Sequence, residues 1–162
     1  MLINQILLAI ATLTIGVVYG TDMFHAIVVK KAAALSSDNA VADLIGHTHL
    51  IADKRMPLIG VTGVTGSLLL TLLNYNASLG IYSGIALVAL LLHLIIYLKV
   101  AKPINAQMSA AAVAQKTPAA IRSLQERWDS VIFYRAILLT VAMLALIIGI
   151  FATGGCIAGC KN

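Results

Sequence analysis

Four long apolar stretches, separated by more polar segments, dominate the hydrophobic pattern of this chain. They cover residues 2–19, 58–73, 79–98 and 131–151. A membrane-spanning helix needs roughly 20 mainly apolar residues, so each stretch is close to that length and only the second is slightly short. The pattern predicts an all-α fold in which four transmembrane helices form a bundle, within a single integral membrane domain over residues 1–162.

The basic residues predict how these helices are oriented. They are concentrated in the two long connecting segments, while the turn at residues 74–80 carries no charge; the basic positions are Lys30, Lys31, Lys54, Arg55, Lys99, Lys102, Lys116, Arg122 and Arg127. Because short loops rich in Lys and Arg stay in the cytoplasm, both long segments are expected there. Both termini of this multi-pass protein are then expected outside the cytoplasm.

The two long segments contain helices of their own. Ser36, Ser37 and Asp38 offer an N-cap, and the apolar residues from Val41 onward follow helical spacing. Pro57 should end or kink this helix, so we expect a cytoplasmic amphipathic helix before the second span. In residues 101–130 the sequence predicts a turn at Lys102-Pro103, an Ala-rich helix, and a break at residues 117–118.

Composition agrees with a membrane location. The chain is 60% hydrophobic and 10% charged, with a mean hydropathy of +0.98, whereas soluble domains are about a quarter charged. The expected first partner is therefore the lipid bilayer. The net charge of +5 lies in the connecting segments without interleaved aromatic residues, so it does not indicate nucleic-acid binding.

Histidines supply the candidate chemistry. His93 lies in the third span, and an ionisable residue at membrane depth indicates a functional site. Asp22 and His25 are one helical turn apart, so the carboxylate can fix the imidazole tautomer, as around metal-bound histidines, or simply hold the helix end. All four histidines are expected near the cytoplasmic face.

His47 and His49 are separated by about 200° on a regular helix, so at most one of them should join a buried site. The other should face water or a lipid headgroup. Each has an acidic neighbour one turn away: Asp43 for His47 and Asp53 for His49.

Two kinds of cofactor are compatible with these residues. Imidazole suits Fe, Cu and Zn, and nearby carboxylates favour Fe or Zn; the candidate metal ligands are Asp22, His25, His47, His49, Asp53 and His93. Alternatively, His25 and His93 bind a haem b axially. At the C-terminus, Cys156 and Cys160 favour a disulfide or two free thiols over a metal site.

Several short motifs resemble the anthrone-oxygenase-like family of small four-helix membrane proteins. They are Arg55-Met56-Pro57-Leu58, Lys102-Pro103-Ile104-Asn105, and Trp128 followed by Arg135, with Ile132 where the family has Asn. The resemblance implies oxidation of a polycyclic aromatic such as an anthrone, and it marks Pro57, Pro103, Asn105, Trp128 and Arg135 as family-motif positions. From the residues alone, Trp128 is expected as an interfacial anchor, and Arg135 is expected to snorkel or to pair with Asp22.

Three functional hypotheses follow. The first is a membrane oxidoreductase with a His-rich metal or haem site near the cytoplasmic face, acting on a lipophilic aromatic or quinone-like substrate. The second is a haem-binding electron carrier. The third is a non-catalytic protein, a homo-oligomer or a subunit of a larger membrane complex, whose histidines only pack and form hydrogen bonds. The sequence leaves open whether the protein is an enzyme.

Overall fold

The computed structural model describes residues 2–158, with side chains described as far as Phe151. Within that range the chain forms four long helices and no strand, which confirms the all-α prediction. The helices are α1 (Leu2–Leu35), α2 (Asp38–Leu73), α3 (Ser78–Val113) and α4 (Ile121–Ala158). All four are long and apolar enough to cross a membrane, so this is a multi-pass membrane protein. The side on which the termini lie stays a prediction.

The described residues group into two compact units, and all four helices contribute to each. The apolar unit comprises the described parts of Met1–Tyr19, Leu58–His93 and Ile137–Asn162. The polar unit comprises Gly20–Pro57 and Leu94–Ala136. The prediction of one domain over residues 1–162 stays a prediction.

Charge separates the two units sharply. The ranges of the polar unit hold all six acidic residues of the sequence and every basic residue except Lys161. A helix of 34–38 residues is about 50–57 Å long, whereas the hydrocarbon core of a bilayer is about 30 Å thick. The four helices are therefore longer than the bilayer requires, and we assign the hydrocarbon region to the uncharged segments of the apolar unit.

The apolar unit has its own packed core. Its buried residues are small or aliphatic: Leu8, Ala11, Ile15, Leu70, Leu79, Ala86, Ala89, Leu90, Leu139, Ala142, Ala145 and Leu146. Small residues let helices approach closely where burial from water no longer drives their association. Many large apolar side chains of the same segments, such as Leu13, Leu72 and Ile81, remain exposed, as expected for a surface in contact with lipid.

The polar unit has a second core, to which all four helices contribute. Its buried residues include Ala33, Val41, Ile45, Ala101, Ile104, Met108, Ile121, Leu124, Trp128 and Ile132. Helices α2 and α3 approach closely at Gly46, where an added Cβ atom would lie 2.5 Å from the Met108 carbonyl oxygen and 2.7 Å from the Ala112 Cβ atom. The absence of a side chain at Gly46 therefore permits this contact.

Neither proline ends its helix, which corrects the predicted turn at Lys102-Pro103 and leaves a kink at Pro57 as a prediction. Pro57 lies inside a continuous helix, so the amphipathic segment is the first part of α2 and is not a separate helix. At Lys102-Pro103 there is no turn, because α3 continues to Val113. A π-helical turn at Tyr97–Ala101 ends two residues before Pro103, and such widened turns accommodate local disruption of the regular hydrogen-bond ladder.

The breaks between helices fall close to where they were expected. Ser37 caps α2 by accepting a hydrogen bond from the Ala40 amide, which confirms the predicted N-cap. The predicted break after the Ala-rich segment is also present, but α4 begins at Ile121, and Thr117 donates to Asn39 Oδ1 instead of capping it. Arg122, near the start of α4, donates to Asp38 and to the carbonyl of Ala33, so it links α4 to the break between α1 and α2.

Candidate functional site

The buried polar side chains of this protein are concentrated in the polar unit. They are Asp22, His25, His49, Asn105, Ser109, Gln125 and Arg135, whereas the apolar unit has only Ser67 and Ser83 in this class among the described residues. Burying a polar or charged group costs free energy unless it gains a partner. The cluster in the polar unit is therefore the candidate functional site.

Two imidazoles lie together at the centre of the cluster. The His25 and His49 side chains are 8% and 4% exposed, their ring centroids are 6.5 Å apart, and the ring planes differ by 16°. The Trp128 ring contacts both, with centroid distances of 4.2 Å to His25 and 5.2 Å to His49. His25 begins a π-helical turn that ends at Val29, a distortion often found at functional sites.

The Nε2 atoms of both imidazoles are buried and have no hydrogen-bond partner among the described residues. An unsatisfied buried polar atom costs about 1–3 kcal/mol, and such atoms are rare in native proteins. Two of them on adjacent rings indicate a place where a ligand, a proton or water is bound during function.

A buried ion pair is a second part of the cluster. Arg135 Nη2 donates to Asp22 Oδ1 over 3.0 Å, and both side chains are less than a tenth exposed. The Arg135 guanidinium also lies 5.6 Å from the Trp128 ring centroid and 5.9 Å from that of Tyr97. The pairing with Asp22 that the sequence offered as one alternative is confirmed, and snorkelling is not observed.

A hydrogen-bonded chain fixes the position of Trp128. Asp53 Oδ1 accepts from the Tyr97 hydroxyl and from Asn105 Nδ2, each over 2.9 Å. Asn105 Oδ1 in turn accepts from Trp128 Nε1 over 2.8 Å. A carboxylate only accepts and an indole only donates, so the amide of Asn105, which does both, is the natural link between them.

The structure brings together only part of the predicted metal-ligand set. His25 and His49 are neighbours, but Asp22 is paired with Arg135, and Asp53 accepts from Tyr97 and Asn105. Within residues 2–151, whose side chains the structure describes, no group of three or more His, Cys, Asp and Glu side chains is placed to hold a metal ion. The six predicted ligands therefore do not form one metal site in the described part of the chain.

The other candidate residues lie elsewhere. His47 is exposed, whereas His49 is buried, as expected for two residues about 200° apart on a helix. The Nδ1 atom of His47 lies 3.2 Å from Asp43 Oδ1. His93 is half-buried and belongs to the apolar unit, and its pairing with His25 around a haem stays a prediction. The side chain of Cys156 and the whole of Cys160 lie outside the described residues.

Some contributions to the site were missed or misjudged from the sequence. Trp128 was expected at the membrane interface, but it is 5% exposed and packs between the buried histidines and Arg135, which corrects that prediction. Tyr97 was not expected in the site. Arg135 follows Trp128 by seven residues, which puts both on one face of α4, and this spacing was the available indication that the two act together.

No protein-family model, curated protein or solved structure matches this chain. The resemblance to the anthrone-oxygenase-like family therefore stays a prediction. The function has to be argued from the geometry of the buried cluster.

Proposed function

We propose that this protein is a membrane oxidoreductase that uses dioxygen to oxygenate a lipophilic aromatic substrate at the site formed by His25, His49 and Trp128. The observation that carries the proposal is the pair of buried imidazoles whose Nε2 atoms have no partner among the described residues. The resemblance supports it, because Asn105, Trp128 and Arg135 are motif positions and all three belong to this cluster.

The site residues do not fit a metal held by three or more protein ligands, since the two imidazoles have no third donor of that kind among the described residues. They also do not fit a haem held between His25 and His49. The three centroid distances place the Trp128 ring beside the line joining the imidazoles, in the space that the macrocycle would need. The proposed reaction therefore proceeds without a metal-centred step.

A methylene group flanked by aromatic rings can be oxidised in this setting by proton removal. One imidazole Nε2 takes a proton from the methylene carbon, and the resulting carbanion passes electrons to dioxygen and forms a carbon–oxygen bond. The imidazolium returns its proton to the peroxide anion, and the resulting hydroperoxide loses water, which leaves a ketone. One oxygen atom ends in the ketone and the other in water, and the two hydrogen atoms of the methylene group are both accounted for in that water.

The protein contributes position and proton transfer to this reaction. A well-placed general base accelerates a reaction by about 10²–10⁴-fold. The Trp128 ring, held by Asn105, packs against both imidazoles and so fixes the position of the base. The Asp22–Arg135 pair buries two charges that balance one another, so it leaves no net charge beside the developing carbanion.

The test is oxygen uptake and ketone formation from anthrone by the purified protein in lipid nanodiscs. At least one of His25→Gln and His49→Gln, the variant that removes the base, should lower the rate by about 100-fold or more. His47→Gln is the matched control, because His47 is an exposed histidine two residues from His49, and its rate should equal that of the wild type. Unchanged rates in both buried-histidine variants would refute the proposal.

An absorption spectrum of the same sample examines the competing functions. A Soret band that disappears in both His25→Gln and His93→Ala would replace the oxygenase proposal with the haem-binding electron carrier. If the sample shows neither oxygen uptake nor a Soret band, that result would favour a subunit of a larger membrane complex.

A further inference from the structure

Four exposed basic residues form a band on α2 and α3, close to the uncharged segments of these helices. The members of this basic band are Lys54, Arg55, Lys99 and Lys102. Arg55 lies three positions before Leu58, the first residue of the apolar segment of α2, and Lys102 lies nine positions after His93, the last of α3. At 1.5 Å per residue, the band therefore lies about 5–14 Å beyond the hydrocarbon region. This range includes the headgroup layer, which is roughly 5–8 Å thick on each side of a bilayer.

Hydrogen bonds between α2 and α3 place the whole band at one level of the polar unit. Asp53 Oδ1 accepts from the Tyr97 hydroxyl and from Asn105 Nδ2, so it lies opposite the part of α3 between those two residues. The two members of the band on α2 directly follow Asp53 in sequence, and the two on α3 lie between Tyr97 and Asn105. The basic side chains of both helices therefore start at a similar depth.

The band also shares one outer surface of the protein. Lys54 and Ala106 line the same groove between α2 and α3, and Lys102 is one helical turn from Ala106 on the same face of α3. Lys99, three positions before Lys102, is exposed as well. Lys54 and Lys102 therefore flank the seam between the two helices, where a single headgroup has access to more than one basic side chain.

The band has a net positive charge even when the neighbouring carboxylate is counted. Asp53 accepts from two neutral donors and keeps its charge, so four positive charges against one negative charge leave a net charge of +3. No other acid follows along these helices, because residues 54–125 contain no Asp or Glu. None of the four basic side chains forms an ion pair or hydrogen bond with another described residue. Their charges are therefore available to an anionic partner.

Helices α1 and α4 expose no charge at this level. Arg135 lies 5.9 Å from the Tyr97 ring centroid, which aligns this part of α4 with the band, but Arg135 is buried and paired with Asp22. The side chains that α1 and α4 expose near this ion pair are the aromatic rings of Phe24, Phe133 and Tyr134. A preference for charged headgroups is therefore expected only along α2 and α3.

We infer that the basic band binds the headgroups of anionic phospholipids in the leaflet next to the polar unit. The headgroup phosphate pairs with the exposed lysine and arginine side chains, and the acyl chains lie along the uncharged segments of α2 and α3. A basic residue near an anionic membrane surface strengthens binding by about fivefold. The inference goes beyond the proposed function and does not depend on it.

The test is native mass spectrometry of the protein released from nanodiscs that contain equal amounts of phosphatidylglycerol and phosphatidylcholine. The intensity ratio of the two complexes with one bound lipid measures the preference for the anionic headgroup. This ratio should be about five or more for the wild type, and Lys99→Gln combined with Lys102→Gln should lower it by about fivefold or more. Lys99→Arg combined with Lys102→Arg keeps both charges and should retain the wild-type ratio.

Lys31→Gln combined with Lys116→Gln is the matched control, because it removes two charges from exposed lysines outside the band. Its ratio should equal that of the wild type. Equal losses in the control and in the Lys99→Gln, Lys102→Gln variant would show general attraction to a basic protein and would overturn the inference. A wild-type ratio near one would overturn it as well. The measurement uses neither anthrone nor oxygen, so its outcome is independent of the oxygenase test.

Discussion

Asn105 is the residue whose replacement most directly tests how the site is held together. It lies between an acceptor, Asp53, and a donor, Trp128 Nε1, and it is buried. Asn105→Leu preserves most of the side-chain volume but removes both hydrogen bonds. Asn105→Asp retains an acceptor for Trp128 but brings a second carboxylate against Asp53.

The magnitude follows from the groups left behind. In Asn105→Leu, Trp128 Nε1 loses its acceptor in a buried position, which costs about 1–3 kcal/mol. Asp53 loses one of its two donors, a charge-assisted hydrogen bond worth about 1.5–3 kcal/mol when fully buried. Because Asp53 is only half-buried and water can replace part of this bond, we expect a total loss of roughly 2–4 kcal/mol.

Thermal unfolding in detergent and the emission spectrum of Trp128 both report this change. A loss of that size should lower Tm by about 4–16 °C, and release of the indole N–H from its acceptor should shift the emission. Gln107→Leu is the matched control, because Gln107 is exposed on the same helix and bonds only to the carbonyl of Pro103 in its own helix. The reasoning is refuted if Asn105→Leu and Gln107→Leu have the same Tm and the same emission spectrum.

Two further predictions concern packing and charge in the polar unit. Arg135→Gln should lower the free energy of unfolding by about 3–5 kcal/mol, because it leaves Asp22 charged and buried without this partner. In a double-mutant cycle, Asp22→Asn combined with Arg135→Gln should recover part of this loss. Strictly additive losses would argue against the ion pair. Gly46→Val should lower Tm, because the added Cβ atom would overlap helix α3. Gly60→Val is the control: no atom lies within 4 Å of its added Cβ, so Tm should change little. Equal effects of the two substitutions would contradict the close approach of α2 and α3 at Gly46.

Local regularities explain which parts of the fold the sequence could predict. The apolar stretches, the Ser37 cap and the opposite exposure of His47 and His49 all follow from helix geometry or from residues close in sequence. The same local rule predicted a turn at Pro103 and a helix end or kink at Pro57; the turn and the helix end are wrong, because both prolines lie inside continuous helices. Packing with neighbouring helices can outweigh the local cost of such a residue.

The site itself depends on contacts between distant parts of the chain. Asn105 meets Asp53 across 52 residues and Trp128 across 23, and no periodicity in the sequence encodes such a pairing. The ion pair of Asp22 and Arg135 could be predicted only because a buried carboxylate needs a cationic partner and the sequence offers few cationic residues at a similar depth. The contact of the Trp128 ring with His25 and His49 had no comparable indication.

The distance in sequence between Asp22 and Arg135 has a consequence for biosynthesis. The two residues are 113 positions apart, and a ribosome adds about 5–20 residues per second. The carboxylate of Asp22 therefore emerges roughly 6–23 s before the arginine that will neutralise it. During that interval the Asp22 carboxylate of the nascent first helix has not yet met Arg135, its final partner. A newly made chain therefore most needs a chaperone or the insertion machinery during this period.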